Sequence, residues 1–238
     1  MTAVLELRHV SAAYGPFRAL FDVSLAVGPG EAVGLLGANG AGKTTVARAA
    51  TGLVVPTSGS VLVEGRDLTA AGTFTFARAG VAHAPEGRSV FATLTVQENL
   101  TLAFRRSKGR NGVHPALEQA FEQFTVLGQR RHQLAGTLSG GEQRILSMAR
   151  VLVESPNVLV ADELSLGLAP KVVAGIYDSL ALLREQGTSL LIIEQQVGHA
   201  LALCDRVALL HQGAVTWEGA SADASGRLVS TMFDPAAS

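Results

Sequence analysis

The chain has 238 residues, a formal net charge of −1, 47% apolar residues and 16% charged residues. The apolar and charged contents predict a globular chain with a large core and exclude intrinsic disorder. The net charge near zero differs from the strongly positive charge typical of nucleic-acid-binding proteins. The single cysteine, Cys204, excludes an internal disulfide and a cysteine-rich metal site. We find no secretion signal and no apolar run near the roughly 20 residues of a membrane span, so any membrane role is expected to act through a partner.

The first part of the chain is predicted to form strands around one helix. Residues 4–33 alternate in short apolar blocks punctuated by Pro and Gly, which predicts short strands joined by tight turns. The segment "TTVARAATGL" predicts a helix that ends near Gly52, and "GSVLVEG" predicts a return to strand.

The remainder is predicted to alternate between helix and strand. Apolar residues recur at helical spacing from about Thr93 to Leu138. From residue 157 onward the strands "NVLVADE" and "SLLIIEQ" alternate with helices, and "RVALLHQGAVTWEG" predicts a final hairpin. Such alternation predicts a mostly parallel sheet with helices on both faces, into which the preceding helical stretch is inserted.

A glycine-rich loop carries the most informative chemistry. "GLLGANGAGKTT" places Gly37-x-x-x-x-Gly42-Lys43-Thr44 between a predicted strand and a predicted helix. Backbone N–H groups of such a loop surround phosphate oxygens, Lys43 reaches the β- and γ-phosphates, and the Thr44 hydroxyl binds Mg²⁺. A chance glycine turn is the alternative, but the chain has only three lysines. The loop therefore predicts nucleoside triphosphate binding.

Two adjacent carboxylates, Asp162 and Glu163, end the apolar strand "VLVADE". Without a cationic partner they would be costly there. A phosphate-bound Mg²⁺ would pair with Asp162, directly or through water, and leave Glu163 to polarise an attacking water. The alternative is an acidic N-cap for the next helix, an interpretation that the glycine loop weakens.

A second phosphate-like loop, "LSGGEQ" at residues 138–143, precedes a predicted helix. Ser139 and the glycines that follow it suit either an anion site or a simple helix cap. One nucleotide needs one phosphate loop, so a second loop would serve another nucleotide or another subunit.

In order and spacing these motifs resemble the nucleotide-binding subunit of ABC transporters over nearly the whole chain. Residues 37–45 match the Walker A loop of that family, residues 138–143 its signature, and residues 158–163 its Walker B strand. The resemblance implies one nucleotide-binding domain over residues 1–238, an α/β P-loop NTPase core with a mostly parallel sheet and an N-terminal antiparallel β portion. Its bounds are about 1–88 and 156–238 for the core and 89–155 for an inserted helical subdomain.

The resemblance also implies ATPase activity with ATP and Mg²⁺ as ligands. Tyr14 lies where the family stacks an aromatic ring on adenine, and an ordinary strand-edge aromatic is the alternative. The implied catalytic residues are Lys43, Glu163 and Gln195. The implied Mg²⁺ ligands are Thr44 and Asp162, with Glu86 as a further candidate. The implied nucleotide-binding residues are Tyr14, Gly37, Ala38, Asn39, Gly40, Ala41, Gly42, Lys43, Thr44, Thr45, Glu86, Ser139, Gly140 and Gly141.

Four positions depart from the common family pattern. Glu86 replaces a Gln, Leu164 a Pro, Gly167 an Asp and Gln195 a switch His. Alone, these changes favour a weakly hydrolysing, ATP-sensing module, although the reactive groups of the motifs are in place. Together, "PEGR", "SLGLAP" and "EQQ" resemble the shorter ATP-binding subunit of branched-chain (hydrophobic) amino-acid importers.

The resemblance implies a set of partners. Two such domains form a head-to-tail sandwich, as a homodimer or a heterodimer, on transmembrane permease subunits at the cytoplasmic face of the inner or plasma membrane. A periplasmic or extracellular substrate-binding protein takes part indirectly, and no nucleic acid is expected. Arg88 and Phe91 are candidates for the permease surface or, alternatively, solvated loop residues. Import of urea or short amides, and a soluble non-transport ABC ATPase, remain alternative functions.

Overall fold

The computed structural model describes residues 2–85, 87, 89–152 and 155–224 of the chain. Two compact units are present: the first unit comprises residues 1–83, 157–163 and 180–238, and the second unit comprises residues 84–156 and 164–179. In the part of the chain that the structure describes, no helix has the length and hydropathy needed to cross a membrane. The elements, in chain order, are β1 (Leu5–Tyr14), β2 (Phe17–Val27), β3 (Ala32–Leu36), α1 (Lys43–Ala50), β4 (Ser58–Val63), β5 (Arg66–Asp67), α2 (Thr73–Arg78), β6 (Val81–Ala84), α3 (Val96–Ser107), α4 (Gly109–Gln123), α5 (Thr125–Gln129), α6 (Gly140–Leu152), β7 (Val158–Asp162), α7 (Pro170–Glu185), β8 (Ser189–Glu194), α8 (Val197–Leu203), β9 (Arg206–His211) and β10 (Ala214–Ala220).

An antiparallel sheet in the first unit has the strand order β2-β1-β4-β5. The prediction of short strands over residues 4–33 was wrong in length, because β1 has 10 residues and β2 has 11. Register shifts interrupt their pairing, and His9 and Asp22 take positive φ angles of 51° and 55° there. At such a β-bulge the strand continues, but the alternation of apolar and polar residues shifts by one position. The sequence of one long strand therefore looks like that of several short strands.

The second sheet has the order β10-β9-β3-β8-β7-β6. β3 pairs in parallel with β8 and β9, and β7 pairs in parallel with β8, which confirms the predicted parallel core and α/β fold class. Every residue of β3, β7 and β8 is buried, as expected for central strands of a parallel sheet covered on both faces. The register places Leu36 beside Glu194 and Asp162 beside Ile193, so these three strands end at one edge.

The core of the first unit lies between the two sheets. Alternate residues of the parallel strands, such as Val33 and Leu35 of β3 or Leu191 and Ile193 of β8, belong to the same buried cluster as Val46 of α1 and the inward side chains of β1. Burial of each such side chain contributes about 1.5–3 kcal/mol. α1 is therefore held firmly, and the loop that precedes it has a fixed end.

The second unit contains α3 to α6, which confirms that the stretch from Thr93 to Leu138 is mostly helical. α3 begins with a capping box, in which the Thr95 hydroxyl accepts a hydrogen bond from the Glu98 N–H and the Glu98 carboxylate accepts one from the Thr95 N–H. The amide of Asn99, which is fully buried, binds both the N–H and the C=O of Phe91. Local polar contacts therefore fix the start of this helix.

Replacement of the cap should weaken the fold measurably. We expect Thr95→Ala to lower the free energy of unfolding by about 1 kcal/mol, because the first turn of α3 loses the hydroxyl that accepts from Glu98. Urea denaturation followed by circular dichroism measures this loss. Thr93→Ala, at an exposed position two residues earlier, is the control. Equal stability of the two variants would contradict the prediction.

Candidate functional site

The glycine loop joins β3 to the N-terminus of α1. Gly42 occupies the N-cap position of α1 at φ 104°, and no side chain caps the helix there. The first N–H groups of an α-helix have no partner within the helix and carry its positive dipole end, so they attract an anion. The loop thus has the geometry expected of a phosphate site.

Two of the loop glycines are required by packing. A Cβ on Gly37 would lie 2.5 Å from the carbonyl oxygen of Leu210 in β9, and one on Gly42 would lie 2.9 Å from that of Ala19 in β2. Real Cβ atoms do not approach backbone oxygens so closely, so any larger residue would displace the loop. The glycine spacing therefore reflects close contact with neighbouring strands as well as access to phosphate.

Lys43 is almost fully buried at the start of α1. Its Nζ donates hydrogen bonds to the carbonyl oxygens of Gly37 and Ala38, both at 3.0 Å, and lies 3.0 Å from Oε1 of Glu163. An ammonium group has three N–H donors, and three oxygen atoms surround this one. The lysine thus holds the loop and the carboxylate together.

Asp162 and Glu163 follow one another at the end of β7, and both are buried. The Glu163 N–H donates to the Ile193 carbonyl at 2.9 Å, which ties it to β8, and Glu163 takes a φ of 46°. A proline at position 164 would restrict the preceding residue to extended conformations. Leu164 imposes no such restriction, and Glu163 combines a left-handed backbone with a carboxylate that contacts Lys43.

A cavity of about 500 Å³ opens over the loop. Lys43, Thr44 and Glu163 line it, together with residues that the sequence motifs did not indicate. The guanidinium carbon of Arg18 lies 4.7 Å from the centre of the Phe21 ring at this cavity. The lining residues that sequence reasoning missed come from β2 and from the turn between β9 and β10, and they are Arg18, Ala19, Phe21, Gln212 and Gly213.

Tyr14 and Gln195 lie outside this lining, as far as the described residues show it. Tyr14 ends β1 and is 42% exposed, and its hydroxyl accepts a hydrogen bond of 3.3 Å from Arg48. Gln195 is half-buried directly after β8, at the edge where β3 and β7 also end. Their roles in adenine stacking and phosphate sensing stay predictions.

In the second unit, Ser139 takes part in a helix cap. Its backbone N–H and its hydroxyl donate to the same carboxylate oxygen of Glu142, at 2.9 and 2.8 Å. Burial raises the pKa of Glu142, but the hydrogen bonds from Ser139 and the positive charge of Arg130 outweigh it and hold the pKa below its usual value. α6 begins at Gly140, followed by Gly141. The capping interpretation is thus realised, and the anion-binding role stays a prediction.

Four further predicted positions have different outcomes. Gly167 takes a φ of 70°, a left-handed conformation that suits glycine better than the aspartate of the common pattern. Phe91 is half exposed, with the guanidinium carbon of Arg150 at 5.0 Å from its ring centre. Glu86 and Arg88 lie outside the described residues.

Comparison with known proteins identifies the family. A family model described as "ABC transporter" matches residues 20–165, more than half of the chain and including the glycine loop and both carboxylates. The chain belongs to the ABC transporter family. It is an ATP-binding subunit that hydrolyses ATP.

Individual relatives cover the same region. The high-affinity branched-chain amino acid transport ATP-binding protein BraG of Pseudomonas aeruginosa is 41% identical over 89% of this ABC subunit and 91% of its own length. The lipopolysaccharide export system ATP-binding protein LptB of Escherichia coli K12 is 33% identical over 91% and 90%. An ATP-binding cassette of an ABC transporter in its ADP conformation has a TM-score of 0.82 at 25% identity, covering 97% of this chain and 96% of its own.

The ion pair between Lys43 and Glu163 yields a prediction on affinity. We expect Glu163→Gln to bind ATP about fivefold more tightly, a gain of about 1 kcal/mol, because the phosphates no longer compete with a carboxylate for the ammonium. Calorimetric Kd values measure the change.

The exposed carboxylate of Glu185 supplies a control for this variant. Glu185→Gln makes the same chemical change away from Lys43 and should leave the Kd unchanged. Unchanged or weaker ATP binding by Glu163→Gln would contradict the prediction.

Proposed function

We propose that this chain is the ATP-hydrolysing subunit of an ABC importer for branched-chain amino acids. The similarity to BraG over nearly the full length carries the proposal. The segments "PEGR", "SLGLAP" and "EQQ" support it, since they resemble the shorter ATPase subunit of these importers. The lower identity to LptB supports an export role less strongly.

In this proposal the loop of residues 37–45 binds the phosphates of ATP. The uncapped N-terminus of α1 supplies N–H donors, and Lys43 supplies a positive charge. Because Lys43 contacts Glu163 at 3.0 Å, the γ-phosphate would replace the carboxylate as its partner. ATP binding would thereby free Glu163 for the attacking water. Tyr14 would stack on the adenine from the end of β1.

Thr44 and Asp162 would hold the Mg²⁺ of the nucleotide. Among the described residues no group of three or more His, Cys, Asp or Glu is placed to hold a metal, so phosphate oxygens would have to complete the coordination. Mg²⁺ is commonly bound in this way, by one or two protein oxygens and substrate phosphates. The hydroxyl and carboxylate present are hard oxygen ligands and fit this ion, which would neutralise developing charge on the phosphates.

Hydrolysis would depend on two residues at the edge of the parallel sheet. Glu163 would accept a hydrogen bond from the attacking water and orient it toward the γ-phosphate. Gln195 would hydrogen-bond the γ-phosphate or the water. Its amide can donate or accept, yet it does not titrate near pH 7 as a histidine does.

The chain would work in a complex. Ser139, Gly140 and Gly141 would bind the nucleotide held by a second ATPase subunit, and closure of that sandwich would move transmembrane permease subunits. ATP can drive this change only through its greater affinity for the closed state. The subunit would then lie on the cytoplasmic face of the membrane, with a substrate-binding protein acting on the opposite side.

Purification of the tagged chain from membranes tests the proposal. We expect permease subunits and a second ATPase to co-purify, and the associated binding protein to bind leucine, isoleucine or valine. The ATPase activity should rise in the complex and vanish in Glu163→Gln. If the associated binding protein binds urea or short amides instead, the proposed substrate class is wrong. If only soluble proteins co-purify, a transport role is contradicted. Negligible turnover in every complex would favour an ATP sensor.

The role of Gln195 gives a separate prediction. In the assembled complex we expect Gln195→Ala to lower kcat about 10- to 100-fold with little change in KM for ATP, because the amide acts on the reacting phosphate rather than on nucleotide affinity. Phosphate release measures both constants.

Gln196→Ala is the matched control, since Gln196 is the exposed neighbour and its side chain makes no cap bond to α8. This variant should keep normal turnover. The prediction for Gln195 fails if its variant also turns over normally.

A further inference from the structure

The turn between β9 and β10 contacts the phosphate loop directly, although the two segments are far apart in sequence. The N–H of Gly213 donates to the carbonyl of Ala41 at 2.8 Å. The carbonyl of Gly213 accepts from the N–H of Phe21 in β2, also at 2.8 Å. One residue of the turn therefore joins the loop to β2 through backbone hydrogen bonds, which do not depend on any side chain.

Only glycine fits at this junction. Gly213 has a φ of 80°, and a Cβ there would lie 2.5 Å from the carbonyl oxygen of Ala19 and 2.8 Å from Cδ2 of Phe21. Gln212, the other central residue of the turn, also has a positive φ, of 45°. A two-residue hairpin turn with both residues in the left-handed region is the type I′ turn, which matches the twist of paired strands.

Different neighbouring segments contact the two ends of the phosphate loop. The carbonyl oxygen of Leu210, in β9, lies against Gly37 at the start of the loop, as described above. Near its end, Gly42 lies against Ala19, and a Cβ on Gly42 would be 3.5 Å from the Cα of Gly213. The loop is thus in contact with β9 at its start and with the β9–β10 turn and β2 near its end.

We propose that Gly213 is a positioning residue for nucleotide binding. The β9–β10 turn sets the curvature of the phosphate loop and so aims the loop N–H groups at the phosphates. Gln212 and Gly213 line the same cavity as Lys43 and Thr44, so a shift of the turn moves the wall of the site itself. This inference rests on the proposed function, which assigns residues 37–45 to the phosphates.

The variant Gly213→Ala, in the full-length subunit, tests the proposal. The added methyl group pushes the turn away from Ala19, which weakens the bond to Ala41 and lets the loop relax. We expect the Kd for ADP with Mg²⁺ to rise on the order of tenfold. At saturating ATP, kcat should fall by less than that factor, because Gly213 does not touch the reacting atoms.

Gly187→Ala is the matched control. Gly187 has a φ of 97°, so an alanine there suffers similar backbone strain, but a Cβ would meet no atom within 4 Å. Both variants should lose thermal stability, whereas only Gly213→Ala should lose affinity for ADP. The proposal is overturned if both variants bind ADP with the wild-type Kd.

Two further measurements separate the possible failures. Lys43→Ala should abolish ADP binding. If Lys43→Ala binds ADP as the wild type does, the assignment of the phosphate loop is wrong, and so is the inference about Gly213. If Lys43→Ala loses ADP binding while Gly213→Ala keeps it, only the inference about Gly213 is wrong. If Gly213→Ala does not fold, amide hydrogen exchange of the wild-type protein tests the proposal instead. ADP should slow exchange at the amides of Gly213 and Phe21. Unchanged exchange rates at both amides would overturn the proposal.

Discussion

The site depends on the contacts that surround the buried ammonium group of Lys43. A charge removed from water costs several kcal/mol unless partners surround it, and here the partners are two loop carbonyls and the carboxylate of Glu163. The loop can lie close to β9 and β2 because Gly37 and Gly42 carry no side chain. Glu163 can reach the lysine because β7, β8 and β3 lie side by side in parallel register. The shape of the loop, the order of the strands and the pairing of the lysine charge therefore depend on one another.

Under the proposed function, the departures from the common family pattern would change how the site is controlled more than what it contains. Leu164 leaves Glu163 free to adopt its left-handed backbone, which a proline would oppose. Gln195 places an amide where the common pattern has a titratable ring, so protonation near neutral pH cannot alter it. The lysine, the hydroxyl of Thr44 and the two carboxylates are all retained.

The sequence predicted those parts of the fold and site that depend on local pattern. Continuous apolar runs indicated β7 and β8, and the spacing of Gly37, Gly42 and Lys43 indicated the loop, because each depends on neighbouring residues. The length of β1 and β2 was missed because bulges shift the apolar alternation. Arg18, Phe21 and Gly213 were missed because tertiary contacts bring them to the loop, and such contacts leave no signature in the spacing of residues.

The contact between Gly213 and Ala41 joins two segments that the ribosome synthesises at different times. The phosphate loop is synthesised before β9 and the β9–β10 turn, which contact it in the folded protein. Because synthesis proceeds from the N-terminus, a nascent chain carries the glycine motif long before it has the turn that holds it. If the turn positions the loop as proposed, a chain truncated before the β9–β10 hairpin carries the glycine motif but binds nucleotide poorly.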